Sequence, residues 1–233
     1  MLEFAGVSKS YGGLRPLRIA ALRIAAGDRV ALLGFDQPTA EVFVNLATGA
    51  TLPDAGDVSI FGLPTGTIED SAAWLATVDR FGIVSERAVL LDALTVIQNL
   101  AMPFTLEIEP PPADVRGRAE ALAREVGLPE SSWDQPVHGL APAGWLRVRF
   151  GRAIALDPVI LLLEHASARL AREDVAALGA ELRAVAADRG IALVALAADA
   201  AFAGAIAQRV LTLEPATGTL KPQRRGWFGL GAP

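Results

Sequence analysis

Positions 159–163 read Val-Ile-Leu-Leu-Leu, five apolar residues in succession between two stretches of helical periodicity. A strand with one face in water alternates apolar and polar side chains. A strand apolar at every position has both faces covered, the condition inside a parallel sheet flanked by helices. Arg29 to Leu33 reads as a second short buried strand, ending at Gly34, and Arg80 to Val84, Ile191 to Leu196 and Val210 to Leu213 as three more. Between them, Ala40 to Ala47, Leu94 to Leu100, Arg116 to Val126, Trp145 to Leu156, Arg172 to Asp188 and Ala200 to Gln208 have helical spacing. Leu2 to Val7 and Leu17 to Ile24 alternate as half-buried strands, and Asp57 to Phe61 lies among the turn residues of Gly49 to Gly62. Such alternation predicts an α/β fold with a parallel sheet and covering helices.

The segment after the second strand narrows the chemistry. Gly34 to Glu41 reads Gly-Phe-Asp-Gln-Pro-Thr-Ala-Glu, at the place where a phosphate-binding loop would read G-x-x-x-x-G-K-[S/T]. In such a loop the glycines free backbone N–H groups to form a nest, the lysine neutralises phosphate, and the hydroxyl holds Mg²⁺. Only Gly34 survives. Thr39 stands at the second glycine, Ala40 at the lysine and Glu41 at the hydroxyl, while Pro38 has no N–H to offer. A lone carboxylate about 4 Å from a phosphate oxygen repels it by roughly 4 kcal/mol at an effective dielectric near 20. Tight triphosphate binding is therefore not expected.

Composition limits the alternatives. The chain has 233 residues, a net charge of -5 and no cysteine, so disulfides and thiolate metal sites are excluded and a reducing compartment is the default. That length suits a single domain, 1–233. The acidic balance and aromatic content of 6% give no basic stripe for nucleic acid. Met1-Leu2-Glu3-Phe4 lacks the basic start of a secretory signal. Ile191 to Ala207 is apolar but alanine-rich, interrupted by Asp199 and short for a membrane span, so strand followed by helix is the expectation. Mean hydropathy is +0.38, which fits either surface hidden against a partner or an alanine-rich composition. His138 has no ligand-like companion, and no metal site is expected.

Several separated segments follow the order found in the nucleotide-binding domains of ATP-binding-cassette (ABC) transporters, and the resemblance spans nearly the whole chain. Ser8-Lys9-Ser10-Tyr11-Gly12 resembles the aromatic loop, whose ring stacks on adenine. Gly27 to Gly34 resembles the strand into the phosphate loop, and Asp54-Ala55-Gly56-Asp57-Val58 its continuation. Phe81 to Glu86 resembles the strand into the glutamine loop, Leu94 to Leu100 the following helix, and Arg152 to Leu163 the run into the catalytic strand. The resemblance implies a P-loop NTPase-like parallel sheet core with an antiparallel β subdomain and a small helical subdomain. The core and β subdomain would occupy 1–91 and 157–220 and the helical subdomain 92–156, with proline-rich Glu109 to Pro112 at its edge and 221–233 as a tail.

Departures from the family fall on its functional positions. Glu86 stands at the glutamine of the glutamine loop, and Leu140-Ala141-Pro142-Ala143-Gly144 replaces the Leu-Ser-Gly-Gly-Gln signature, losing a hydroxyl and a backbone donor. Glu164 occupies the place of the Mg²⁺-associated aspartate and His165 that of the catalytic glutamate. His165 is read either as a base, useful only beside a bound nucleotide, or as a residue hydrogen-bonding at a strand end. Ala198 takes the switch histidine's place and Ala171 that of a later aspartate. Tyr11 either stacks on adenine or packs locally. The positions of the nucleotide site are thus Tyr11, Gly34, Thr39, Ala40, Glu41 and Glu164. No cofactor is expected, ATP and Mg²⁺ entering only if this altered site still binds them.

Family dimers build each site from one chain's phosphate loop and the other chain's signature, so a degenerate partner ordinarily keeps its signature; this chain has altered both. The expectation is a pseudo-ATPase, a structural or regulatory subunit on the cytoplasmic face of the membrane. Its partners would be a transmembrane permease and a second ABC subunit. Val89, Leu90 and Leu91 either offer a groove to the permease or belong to the core. A weakly active ATPase using Tyr11, Gly34 and Glu164 is the alternative, and a free cytosolic scaffold a third. Lys221 to Phe228 mixes basic and aromatic residues and either frays or touches a membrane weakly, at roughly 1 kcal/mol per basic residue.

Overall fold

In the computed structural model, which describes residues 1–223, three strands come first: β1 (Leu2–Lys9), β2 (Leu17–Ile24) and β3 (Arg29–Leu33). Helix α1 (Gln37–Ala47) is followed by β4 (Ala55–Ile60), β5 (Leu63–Pro64), α2 (Ser71–Val78) and β6 (Phe81–Val84). A helical stretch then holds α3 (Val96–Ala101), α4 (Ala113–Glu125) and α5 (Pro142–Ile154). The chain closes with β7 (Ile160–Glu164), α6 (Arg172–Asp188), β8 (Ala192–Ala197), α7 (Ala200–Ile206), β9 (Arg209–Glu214) and β10 (Thr219–Pro222). Two sheets result: an antiparallel one ordered β2-β1-β4-β5, and a six-stranded one ordered β10-β9-β3-β8-β7-β6. The second is parallel except for β10.

The unbroken apolar strands are explained by what covers them. Val30, Leu32, Ile160, Leu162, Val194 and Leu196 enter a core shared with α1 and the antiparallel sheet. Their neighbours Ala31, Leu33, Leu161, Leu163, Leu193 and Ala195 enter the opposite core, packed by α3 to α7. Successive side chains of a strand point to opposite faces, so each central strand must be apolar at every position. In the first core Phe43 of α1 stacks on Phe4 of β1, centroids 4.9 Å apart and planes 13° apart, and meets Phe35 edge-on at 5.7 Å. The sheets also touch at their margins, where Ala20 donates its N–H to Gly218 O at 2.8 Å and Arg18 Nη1 to Ala216 O at 3.1 Å. On the other side α5 lies close against β6: a Cβ on Gly82 would run into Ala153 O.

Several elements differ from the sequence reading. Helix α2 carries no buried residue, so it has no apolar stripe to betray it. Its Asp70 cap accepts from Ala73 N–H at 2.7 Å, and Trp74 Nε1 donates to Thr48 O at 3.1 Å. Strand β10 takes up Lys221 and Pro222, which the sequence assigned to a tail; proline is tolerated there because the strand is an edge. Lys221 pairs with Glu214 at 2.9 Å, which leaves one fewer free charge for a membrane surface. Arg224, Arg225, Trp227 and Phe228 lie outside the described residues. Helix α5 starts at Pro142 rather than Trp145, proline being at home in a first turn. Ile191 to Ala207 divides between β8 and α7, and among the described residues no helix is long and apolar enough to cross a membrane.

Candidate functional site

Strand β3 delivers the chain to Gly34, which holds φ +87°; a Cβ there would lie 3.2 Å from Leu213 O. The surviving glycine therefore has a purely local reason to be glycine. Two residues on, Asp36 caps α1, its Oδ1 accepting from Thr39 N–H at 2.9 Å and from Thr39 Oγ1 at 2.6 Å. That cap, with Pro38 in the first turn where a missing N–H breaks no helical bond, starts the helix at Gln37 instead of Ala40. A helix N-terminus at this place is where a phosphate would sit. Here the chain's own carboxylate takes it, and Thr39, expected merely to crowd the nest, spends both its donors on Asp36.

The hydrogen bond from the Thr39 hydroxyl, then the one from its N–H, holds the Asp36 carboxyl below the ordinary carboxylate range, and nearby His165 adds a smaller effect. A lowered folded-state pKa contributes stability above the unfolded value near 4 and loses it as the pH falls through the folded value. Asp36→Ala is expected to cost about 1 kcal/mol at neutral pH. Urea midpoints of the two proteins should differ at pH 7 and converge below about pH 4.

The second half of the site is a cation supplied from within. Beyond β6, Ser85 Oγ accepts from Arg87 N–H at 3.1 Å and turns the chain across the loop. Arg87 Nη1 reaches Glu41 Oε1 on α1 at 3.1 Å, and Nη2 reaches Glu164 Oε2 at the end of β7 at 2.7 Å. The Glu164 side chain has no exposure, and its other oxygen accepts from the Gln37 amide. A carboxylate so deep needs a charge partner and a hydrogen bond to each oxygen, and both are present. This corrects the expectation of Glu41 as an unopposed charge: Arg87 pairs with it, though the same guanidinium also serves Glu164. Ala40, at the lysine position, is fully buried between the two sheets.

The remaining predicted residues divide. Tyr11 packs partly against the core and, with Gly34, Asp36 and Thr39, lines a shallow cavity of about 170 Å³. Burial raises its pKa, and Asp36 adds to the shift. Glu86 and His165 instead line a cavity of about 290 Å³ against Leu140, Pro142 and Trp145. His165 adopts φ +45° as the chain leaves β7; its backbone N–H donates to Leu196 O at 2.9 Å while Nε2 is buried with no partner. The side-chain bond expected at the strand end is not made through that nitrogen. Ala198 is exposed, and Ala171 precedes α6 without a capping side chain. His138 Nδ1 lies 3.0 Å from Asp92 O, and among the described residues no cluster of three histidine or acidic side chains could hold a metal. Leu90 is buried in the core, whereas Val89 and Leu91 are exposed.

Asp36, Gln37 and Arg87 were not picked out from the sequence. One signal was there for Arg87: two acids, Glu41 and Glu164, flank a single expected site, and acids brought together need a cation.

No family model matches the chain. The nickel import ATP-binding protein NikO of Rhodobacter capsulatus is 31% identical over 218 residues, covering 91% of this chain and 85% of that protein. The chain belongs to the ABC transporter ATP-binding family. Two methionine import ATP-binding proteins, MetN, are also similar to this ABC chain. That of Leifsonia xyli is 30% identical over 217 residues, 91% of this chain and 63% of the relative. That of Caulobacter vibrioides is 31% identical over 172 residues, 73% and 51% respectively. The chain thus spans less than two thirds of the length of these relatives. Among solved structures, a dimeric ATP-binding cassette in a post-hydrolysis state bound to ADP and phosphate superposes with a TM-score of 0.76 at 21% identity, covering 96% of this chain and 99% of that one. The cbiO1 part of the ABC transporter complex cbiONQ from Clostridium perfringens gives 0.75 at 19% identity, covering 91% and 83%. At those identities the structures speak for the fold, which is the ABC ATPase cassette.

Proposed function

We propose that this ABC ATP-binding chain is a pseudo-ATPase: a structural or regulatory subunit of a membrane transport complex that no longer turns over ATP. One observation carries the reading. The Arg87 guanidinium lies across Glu41 and the buried Glu164, at the positions where an ABC site would hold Mg²⁺, while Asp36 fills the α1 terminus that would take phosphate. One guanidinium holds two carboxylates and the site keeps a net negative charge, so a nucleotide must break these bonds before making its own and meets repulsion as well. The altered signature and Ala198 point the same way.

Similarity to import ATP-binding relatives supports a place on the cytoplasmic face beside a transmembrane permease, with a second ABC subunit as a further partner. The helical segment 92–156 would meet the permease. Beside it, a groove of about 390 Å³ takes in Leu90, Met102 and Leu156 and lies next to exposed Val89. A cytoplasmic helix of a permease would bury the exposed Val89 and Leu156, Leu90 already lying in the core.

One observation favours a second reading, a weakly active ATPase: the cavity beside Tyr11 remains open next to Gly34 and Thr39. Stacking on one aromatic ring is worth only about 1–3 kcal/mol, which does not replace a phosphate site. Equilibrium titration of the chain with ATP and Mg²⁺ separates the two. Silence to millimolar nucleotide is the expected result, and micromolar affinity would overturn the pseudo-ATPase.

A further inference from the structure

The cavity of about 290 Å³ on the far side of Glu164 is set apart from the loop by its chemistry. Its wall is the half-buried ring of Trp145 on α5, with the Arg149 guanidinium 5.8 Å and the Arg169 guanidinium 5.9 Å from the ring centroid. Among the described residues the one acid within 4.0 Å of these arginines, Glu86, stands 3.9 Å from Arg149 and 4.0 Å from Arg169, too far to hydrogen-bond either. Glu164 is already engaged by Arg87.

Two residues that line this cavity each carry a buried polar atom with no partner among the described residues, Arg149 Nε and His165 Nε2. The Arg149 side chain is only 13% exposed, and burial lowers its pKa, the mark of a charge short of compensation. Native interiors rarely leave a buried donor such as Arg149 Nε unpaired, and the wall is short of an acceptor there. A guanidinium matches the planar fork of a carboxylate, and an indole face beside it takes a flat apolar group.

We propose that this cavity is a binding site for a small planar organic carboxylate, its oxygens held by Arg149 and Arg169 and its flat body laid on Trp145. The volume suits a fragment-sized molecule rather than a peptide or a nucleotide. Arg149, Arg169 and Trp145 lie outside the Gly34 to Glu41 loop, while Glu86, Glu164 and His165 also line the cavity.

Benzoate is the probe, with acetate lacking the ring and benzyl alcohol lacking the charge. Titration calorimetry of the full chain should give benzoate a Kd on the order of 1 mM or tighter, ordinary efficiency for a ligand of that size. Acetate and benzyl alcohol should each bind at least about tenfold more weakly. Arg149→Gln should weaken benzoate by about tenfold or more, as the loss of a charged hydrogen bond requires. Should that buried substitution fail to fold, Arg169→Gln, whose side chain is 65% exposed, carries the same expectation. Benzoate should quench tryptophan fluorescence, and Trp145→Phe should abolish the quench. Equal affinity for benzoate and acetate, or benzoate binding unchanged in Arg169→Gln, would overturn the assignment.

Discussion

Replacing Arg87 with alanine is expected to destabilise the fold by about 3–5 kcal/mol, because it leaves Glu164 as an unpaired carboxylate without solvent exposure. The contribution is unevenly divided. Glu41 and Arg87 are each nearly half exposed, so their contact contributes at most about 1 kcal/mol and weakens with salt. The Glu164 arm supplies the rest, since the alternative for that carboxylate is desolvation with only the Gln37 amide for company. Urea unfolding should show the loss as a lower midpoint at unchanged slope. Three companions fix the mechanism. Arg87→Lys should recover only part, since one ammonium cannot fork two acids. Glu41→Gln should cost little. Glu164→Gln added to Arg87→Ala should restore most of the stability by removing the buried charge itself. A loss below about 1 kcal/mol for Arg87→Ala would mean that Glu164 reaches water once its partner is gone.

Phe43→Ala is expected to cost a similar amount, about 3–5 kcal/mol, for an unrelated reason. The ring is fully buried and stands between the two sheets, stacked on Phe4 and met edge-on by Phe35, the residue directly after Gly34. Its removal opens a cavity that neither sheet can close, because the backbones at the margin are already joined through Ala20 and Gly218. Phe43→Leu should cost less, about 1–2 kcal/mol, if volume rather than ring geometry dominates. The measurement is the urea midpoint, with the slope as a check that the unfolded state is unchanged. A small loss for the alanine variant would show that α1 slides inward, and the loop from Gly34 would then move with it.

The sheet was readable because its physics is local. Five apolar residues at 159–163 allow no face to be wet, and the helices between such strands carry their own period. Helix α2 was not readable, since none of its side chains is buried and periodicity has nothing to report. The site was readable only as a set of missing groups. Thr39, Ala40 and Glu41 announce what is gone, but what took its place comes from residues far apart in the chain. Arg87 is 46 positions from Glu41 and 77 from Glu164, and only the packing of β6 beside β7 brings them together. Asp36 was within reach of a sequence argument: an aspartate three residues before a threonine at a helix start is a capping pattern. The motif template drew attention to the absent lysine instead.

Gly34 carries a consequence for how such chains are dated by their remnants. A left-handed backbone with the Leu213 carbonyl pressed against the missing side chain would select glycine even in a molecule that had never met a nucleotide. The one residue of the motif that persists is thus no witness for or against nucleotide binding. It is held in place by the backbone around it, whatever the loop binds.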